Sequence, residues 1–246
     1  MKVIGIIPAR YQSKRFPGKV MADLAGRPLI EHICRRAGES KRLAEIWVAA
    51  DDDRVVEAVR AFGGRVRKLA GDFICGTDRI AALAAELDGD VYLNLQADEP
   101  LIAPEVIDAV ARSFDDPSVQ MATAVTPLTR PEDWEDTNAV KTVLDRNSDC
   151  LYFSRAAIPY DRDNRGRLPE SSVYKHLGIY GYRRKFLQEF AAWPPTPLEK
   201  IERLEQLRAL EHGVRLRAVV TPFDSPSVDT PEDLARVAAI LKSQKN

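Results

Sequence analysis

Cysteine is scarce in this 246-residue chain: Cys34, Cys75 and Cys150 form an odd, widely separated set without C-x-x-C spacing. That pattern excludes a disulfide framework and speaks against a zinc site, and Cys34 is expected to pack in a helix. No apolar run approaches the roughly twenty residues that span a bilayer. The N-terminus enters a strand at once, without a charged leader and cleavage site, so a soluble cytoplasmic protein is expected. A charge excess is also missing, with 36 basic against 37 acidic residues. The molecule as a whole therefore offers no electrostatic footprint for nucleic acid or an anionic membrane. Neither Gly-x-Gly-x-x-Gly nor Gly-x-x-x-x-Gly-Lys-Ser/Thr occurs, which removes the Rossmann fingerprint and the Walker P-loop. Internal repeats and low-complexity segments are absent too.

What is present is concentrated in the first nineteen residues. Lys2-Val3-Ile4-Gly5-Ile6-Ile7-Pro8 reads as a buried strand, and the loop after it carries Arg10, Lys14, Arg15 and Lys19. Like charges set this close repel unless an anion lies between them. Ligands of open α/β sheets bind beyond the carboxyl ends of strands, which is where this loop falls. The expected ligand is a nucleoside triphosphate. Arginine engages two phosphate oxygens through its planar fork, and Lys19 supplies a compact charge where a leaving group turns negative.

Strand and helix signals alternate along the first half: Val3–Ile7, a helix near Pro28–Glu39, Glu45–Ala49, a helix near Asp53–Phe62 stopped by Gly63-Gly64, a helix near Asp78–Leu87, and Val91–Leu95. Such alternation predicts a doubly wound, mostly parallel α/β sheet in a single domain. From Met121 the texture changes. Strands are expected at Met121–Leu128, Ala139–Leu144 and Cys150–Phe153, and a polar loop over Pro159–Ser171. Leucine and isoleucine at 198, 201, 204, 207 and 210 predict one amphipathic helix over Leu198–Gly213. Thr230 and Pro231 open the last helix.

Asn94-Leu95-Gln96-Ala97-Asp98-Glu99-Pro100 places Asp98 and Glu99 at a strand's carboxyl end, where a magnesium ion held by one or two carboxylates and substrate phosphates would sit. The alternative is that Asp98-Glu99-Pro100 merely turns the chain and caps the next helix. Asp229 precedes a helix and has the same two readings. The turn Asp72–Arg79 presents amides and side chains suited to an anion or a base edge, or else Arg79 forms an ordinary ion pair. Tyr174–Tyr182 mixes a cation, an imidazole and aromatics, a combination suited to an anionic, hydroxylated ligand.

Taken in register, these segments resemble the CMP-KDO synthetases, or 3-deoxy-manno-octulosonate (KDO) cytidylyltransferases. The resemblance rests on Ile7–Tyr11 through Arg15–Lys19, Gly76–Arg79, Asn94–Pro100, Leu151–Arg155 with Ile158-Pro159, His176–Tyr182, Leu204–Arg208 and Val228–Asp233. It implies the nucleotide-diphospho-sugar transferase (glycosyltransferase-A-like) fold with a small dimerisation and sugar-binding subregion. The CTP-binding half would run to about residue 120 and the sugar-binding half from about 121 to 246. The implied reaction is attack of the anomeric hydroxyl of KDO on the α-phosphorus of CTP, giving CMP-KDO and pyrophosphate for lipopolysaccharide biosynthesis.

By the same resemblance, Ala9, Arg10, Arg15, Lys19, Cys75 and Gly76 meet the nucleotide, and Lys19, Arg15 and Asp98 carry the chemistry. Asp98 and Asp229 hold Mg²⁺, and Arg79, Gln96, His176, Tyr180, Glu205 and Gln206 line the sugar site, Arg79 facing its carboxylate. A homodimer is implied, with Leu151–Pro159 and the following loop as its interface. Cys75 stands where the family usually has Ser, Phe73 where a polar residue is frequent, and Ala97 where Gly is usual. Such changes equally suit an 8-amino analogue of KDO or another ulosonic acid. A sialic-acid cytidylyltransferase is opposed by the 176–182 and 204–208 segments. A catalytically silent nucleotide binder would show losses first at Lys19, Asp98 or Asp229, and all three are present.

Overall fold

A computed structural model describes residues 1–12, 16–71, 73, 75–169 and 171–243. The chain divides into two compact units, one of Met1–Ala111 with the segment from Ser225 onward, the other of Arg112–Asp224. The first unit alternates β1 (Val3–Ala9), α1 (Leu29–Gly38), β2 (Leu43–Ala50), α2 (Asp53–Ala61), β3 (Val66–Lys68), α3 (Gly76–Glu86), β4 (Val91–Asn94) and α4 (Pro104–Ser113). The second holds β5 (Met121–Pro127), α5 (Pro131–Glu135), β6 (Lys141–Leu144), β7 (Cys150–Ser154), β8 (Tyr174–Arg183), α6 (Arg184–Ala192), α7 (Pro197–Glu202), α8 (Gln206–Glu211) and β9 (Leu216–Val220). The last helix, α9 (Pro231–Ser243), returns to the first unit.

In the first unit the strands lie in the order β4-β1-β2-β3 and every pairing is parallel, with Ile6 level with both Trp47 and Asn94. Continuous apolar runs such as Val3–Ile7 are buried, as a sheet covered on both faces requires. Chain order runs outward from β1 through β2 to β3 and then reverses to β4 on its other side. That reversal makes a switch point at the carboxyl ends of β1 and β4, the place where such sheets open a crevice. Gly63, at φ +79°, ends α2 as expected. Helix α3 begins slightly earlier than expected, with Cys75 at its N-cap and the Asp78 carboxylate accepting from the Cys75 N–H at 3.3 Å. Cys34 packs in α1, where burial pushes its thiol up to about 12, and none of the three cysteines is in a disulfide.

One buried acid ties the α1–β2 connection to α4. Asp108 accepts from Ser40 Oγ at 2.6 Å, Lys41 N at 3.0 Å and Arg42 N at 3.1 Å. Replacing it by alanine strands two backbone donors and a hydroxyl, so Asp108→Ala is expected to cost about 2–3 kcal/mol. A urea midpoint lowered at unchanged m-value, with activity per folded molecule retained, is the outcome that checks this.

The second unit is mixed. β9 runs parallel to β5, while β8 is antiparallel to both β5 and β6, and β6 to β7. Lys141 lies wholly inside it, its ammonium donating to the carbonyls of Asp136, Ala139 and Arg155 at 2.6–2.7 Å. The described part of the Pro159–Ser171 segment forms no helix or strand, and Leu168 from it packs on Leu128, Trp134 and Val173.

The single helix expected over Leu198–Gly213 is corrected to two. Arg203 adopts a left-handed conformation, φ 54° and ψ 48°, which ends α7 before α8 begins at Gln206. The break buries Leu204 and Leu207 but leaves Ile201 77 % exposed, so the apolar stripe serves two surfaces. It also frees the Glu202 carboxylate to accept from Ser154 Oγ at 2.6 Å and Arg155 N at 3.0 Å. Among the described residues no helix is long and apolar enough to cross a membrane.

Candidate active site

β1 ends in buried Ala9 and delivers Arg10 to the switch point. The loop that follows closes on itself, the Gly18 N–H donating to the Tyr11 carbonyl at 3.0 Å. Gly18 sits at φ +71°, a left-handed conformation that costs glycine little, and feeds directly into a short 3₁₀ turn that starts at Lys19. Arg15, expected on the triphosphate, lies outside the described residues, as do Ser13 and Lys14.

The Lys19 ammonium lies 2.7 Å from Asp98 Oδ2 and 3.1 Å from Asp229 Oδ1. Three residues from the two ends and the middle of the chain thus meet at one point. Their backbones are held together as well, because Val228 N–H donates to the Asp98 carbonyl at 2.8 Å. Val228 itself is fully buried with Leu24, Leu29 and Val237, which anchors the next residue, Asp229. Thr230 and Asp233 cap helix α9 reciprocally, Asp233 N donating to Thr230 Oγ1 at 3.2 Å and Thr230 N to Asp233 Oδ2 at 3.0 Å. The Asp229 carboxylate meets Lys19.

Two carboxylates and one ammonium meet at this point, and all five donor and acceptor atoms are hard. Among the described residues no group of three or more His, Cys, Asp or Glu gathers into a closed metal cage. The pair therefore fits a magnesium ion, which keeps substrate oxygens and waters in its shell, and does not fit a closed structural metal.

Past the carboxyl ends of β1 and β2 in the first unit lies a cavity of about 400 Å³ lined by Arg10, Tyr11, Asp51, Asp52, Phe73 and Arg79, among others. Arg10 reaches the Phe73 carbonyl at 3.4 Å. Arg79 is 3 % exposed, its guanidinium 4.9 Å above the Phe73 ring and 3.6 Å from Asp51. Its Nε and Nη1 are buried without hydrogen-bond partners. Burial pulls its affinity for the proton down, Asp51 opposes that, and Arg10 adds to it. Buried unmet donors are costly and mark a place for an acceptor that arrives with a ligand. Arg79, expected on the sugar, thus shares a cavity with Arg10, expected on the nucleotide. Asp51 and Tyr11 were not expected there. The signal that finds Asp51 is its position just past the carboxyl end of β2, the rule already applied to Arg10 and Asp98. Gln96, after β4, donates to Asn94 Oδ1 at 3.3 Å. Cys75 and Gly76 open α3.

The other expected sugar residues belong to the second unit. His176 and Tyr180 lie on β8 with ring centroids 5.1 Å apart, and Phe153 meets His176 edge-on at 5.3 Å. Part of His176 reaches solvent, yet burial holds its imidazole near a pKa of about 3, neutral at pH 7. Glu205 and Gln206 stand at the start of α8, and Gln206 is buried with its Nε2 unpartnered.

A protein-family model described as cytidylyltransferase matches residues 4–216. A 3-deoxy-manno-octulosonate cytidylyltransferase of Geobacter metallireducens is 48 % identical over 98 % of both chains. One of Syntrophus aciditrophicus is 49 % identical over 98 % of this chain and 97 % of its own. Among solved structures, a CMP:2-keto-3-deoxy-manno-octonic acid synthetase complexed with CTP superposes with a TM-score of 0.93 at 38 % identity, covering 99 % of this chain and all of that one. A 4-diphosphocytidyl-2C-methyl-D-erythritol synthase from Anaerococcus prevotii shares the fold alone, with a TM-score of 0.66 at 13 % identity. With a phosphate-type loop, a two-carboxylate point and near full-length likeness in agreement, the chain belongs to the cytidylyltransferases, in the 3-deoxy-manno-octulosonate cytidylyltransferase family.

Proposed function

We propose that this enzyme transfers CMP from CTP to the anomeric hydroxyl of KDO, releasing pyrophosphate. The observation that carries the reading is the meeting of Lys19, Asp98 and Asp229 at the carboxyl ends of β1 and β4. In the reaction a bond forms between the sugar oxygen and the α-phosphorus, the bond from that phosphorus to the bridging oxygen breaks, and the hydroxyl proton is lost to solvent. Displacement at phosphorus depends chiefly on positioning and on charge stabilisation, and no dedicated base is required.

Asp98 and Asp229 would hold Mg²⁺. When bound, the metal supplies charge neutralisation at the α-phosphate and acidifies the attacking hydroxyl. Lys19, Arg10 and Arg15 bind the triphosphate and stabilise the departing pyrophosphate. Ala9, Cys75 and Gly76 flank the nucleotide, and Arg79 satisfies its two unmet donors on an anionic substrate group. Gln96, His176, Tyr180, Glu205 and Gln206 read the sugar, a role supported by the unpartnered amide of Gln206. The family's expected homodimer is supported by apolar side chains exposed on the second unit, Leu151 at 61 %, Tyr160 at 72 % and Ile201. We infer that the enzyme works in the cytoplasm, toward lipopolysaccharide.

Pyrophosphate release from CTP and Mg²⁺, measured separately with KDO, its 8-amino analogue and N-acetylneuraminic acid, with and without EDTA, tests the reading. Magnesium-dependent release that prefers KDO is expected. Preference for the amino sugar renames the substrate, and no release with any of the three removes the proposal.

A further inference from the structure

Opposite β5, strand β8 carries two residues too many. Leu177 is level with Ala124 and Tyr180 with Thr123, so Gly178 and Ile179 have no counterpart. The bulge gathers three groups around the hydroxyl of Thr123, which is wholly buried. Its Oγ1 lies 2.7 Å from the Ile179 carbonyl oxygen, 3.0 Å from His176 Nε2 and 3.4 Å from the Leu177 carbonyl oxygen.

A hydroxyl has one proton to give. Two oxygens 2.7 Å apart repel unless a hydrogen lies between them, so that proton is committed to Ile179. The hydroxyl can then only accept from the ring nitrogen. His176 is neutral and carries a single ring hydrogen, which the network therefore assigns to Nε2. Nδ1 is left as a lone-pair acceptor, and it has no partner among the described residues. Phe153 and Tyr180 flank the ring and fix its plane.

We infer that Thr123 is a positioning residue: it locks His176 in the Nε2–H tautomer, so that Nδ1 accepts a hydrogen bond from a hydroxyl of the sugar. This rests on the reading of His176 as a sugar contact. The consequence for recognition is directional. A bare imidazole lone pair repels a carboxylate or phosphate oxygen and takes a hydroxyl, so His176 reads the polyol part of the sugar acid and not its charged end. Thr123 touches neither substrate in this scheme and acts only through the imidazole.

The test is imidazole ¹⁵N NMR on the full-length enzyme, with the His176 signals assigned by their loss in His176→Gln, alongside steady-state kinetics. The wild type is expected to show protonated Nε2 and bare Nδ1. In Thr123→Val the preference for Nε2–H is lost, and KM for KDO rises about tenfold, the loss of one hydrogen bond, while KM for CTP stays put. Thr123→Ser keeps the donor and acceptor and is expected to keep both the tautomer and the KM. A wild-type ring protonated at Nδ1 overturns the inference, whether or not the valine variant folds. So does a Thr123→Val ring that keeps the wild-type tautomer. Wild-type enzyme with the expected tautomer but no turnover of KDO overturns the sugar reading instead, and with it the hydroxyl assigned to Nδ1.

Discussion

Asp98→Asn is expected to slow pyrophosphate release at saturating CTP by about a thousandfold, roughly 4 kcal/mol of lost stabilisation. The substitution is close to neutral for the fold. The backbone carbonyl of residue 98 still accepts from Val228, and the amide oxygen still accepts from Lys19. What disappears is one of the two negative charges that give the point its net attraction for a divalent cation. Raising Mg²⁺ should recover little of the rate, and manganese binding followed by electron paramagnetic resonance should weaken in parallel. Turnover within tenfold of wild type would remove Asp98 from the metal's shell.

Lys19→Met should act in two directions that separate its roles. Losing the cation from the leaving-group side is expected to lower kcat/KM for CTP by about 10²–10³, the usual scale for one preorganised charge in a transition state. Losing it from between Asp98 and Asp229 removes the ammonium that both carboxylates contact. The variant's melting temperature in EDTA should therefore fall below wild type, and Mg²⁺ should raise it by more than it raises the wild type. If Mg²⁺ shifts the two proteins equally, the carboxylates do not share one ion.

Much of the first unit could be read from residue order alone, because its strands are buried on both faces and its helices carry clear stop signals. Val3–Ile7, Glu45–Ala49 and Gly63 were legible for that reason. The helix broken at Arg203 was not. Its apolar spacing continues unbroken from Leu198 to Leu210, and nothing in that spacing records that Ile201 faces out while Leu204 faces in. At the site, Lys19 and Asp98 declared themselves by following strands. Asp229 stayed ambiguous from pattern alone, since an acid before a helix usually caps it, and its contact with Lys19, 210 residues earlier in the chain, is a tertiary feature that no local pattern records. Thr123 gave no signal at all: a threonine in an apolar strand is ordinary, and its role is created by a bulge on another strand.

The separation of 210 residues between Lys19 and Asp229 also bears on how the protein is made. During synthesis the basic loop and the β1–β4 sheet leave the ribosome long before the segment that carries the second carboxylate. A nascent chain can present arginine and lysine to cellular nucleotides, but it cannot complete the two-acid point until Val228 docks against Asp98. With Asp229 read as a metal ligand, activation of CTP waits until the segment that carries it has been made, and a truncated product lacking that segment is expected to consume none.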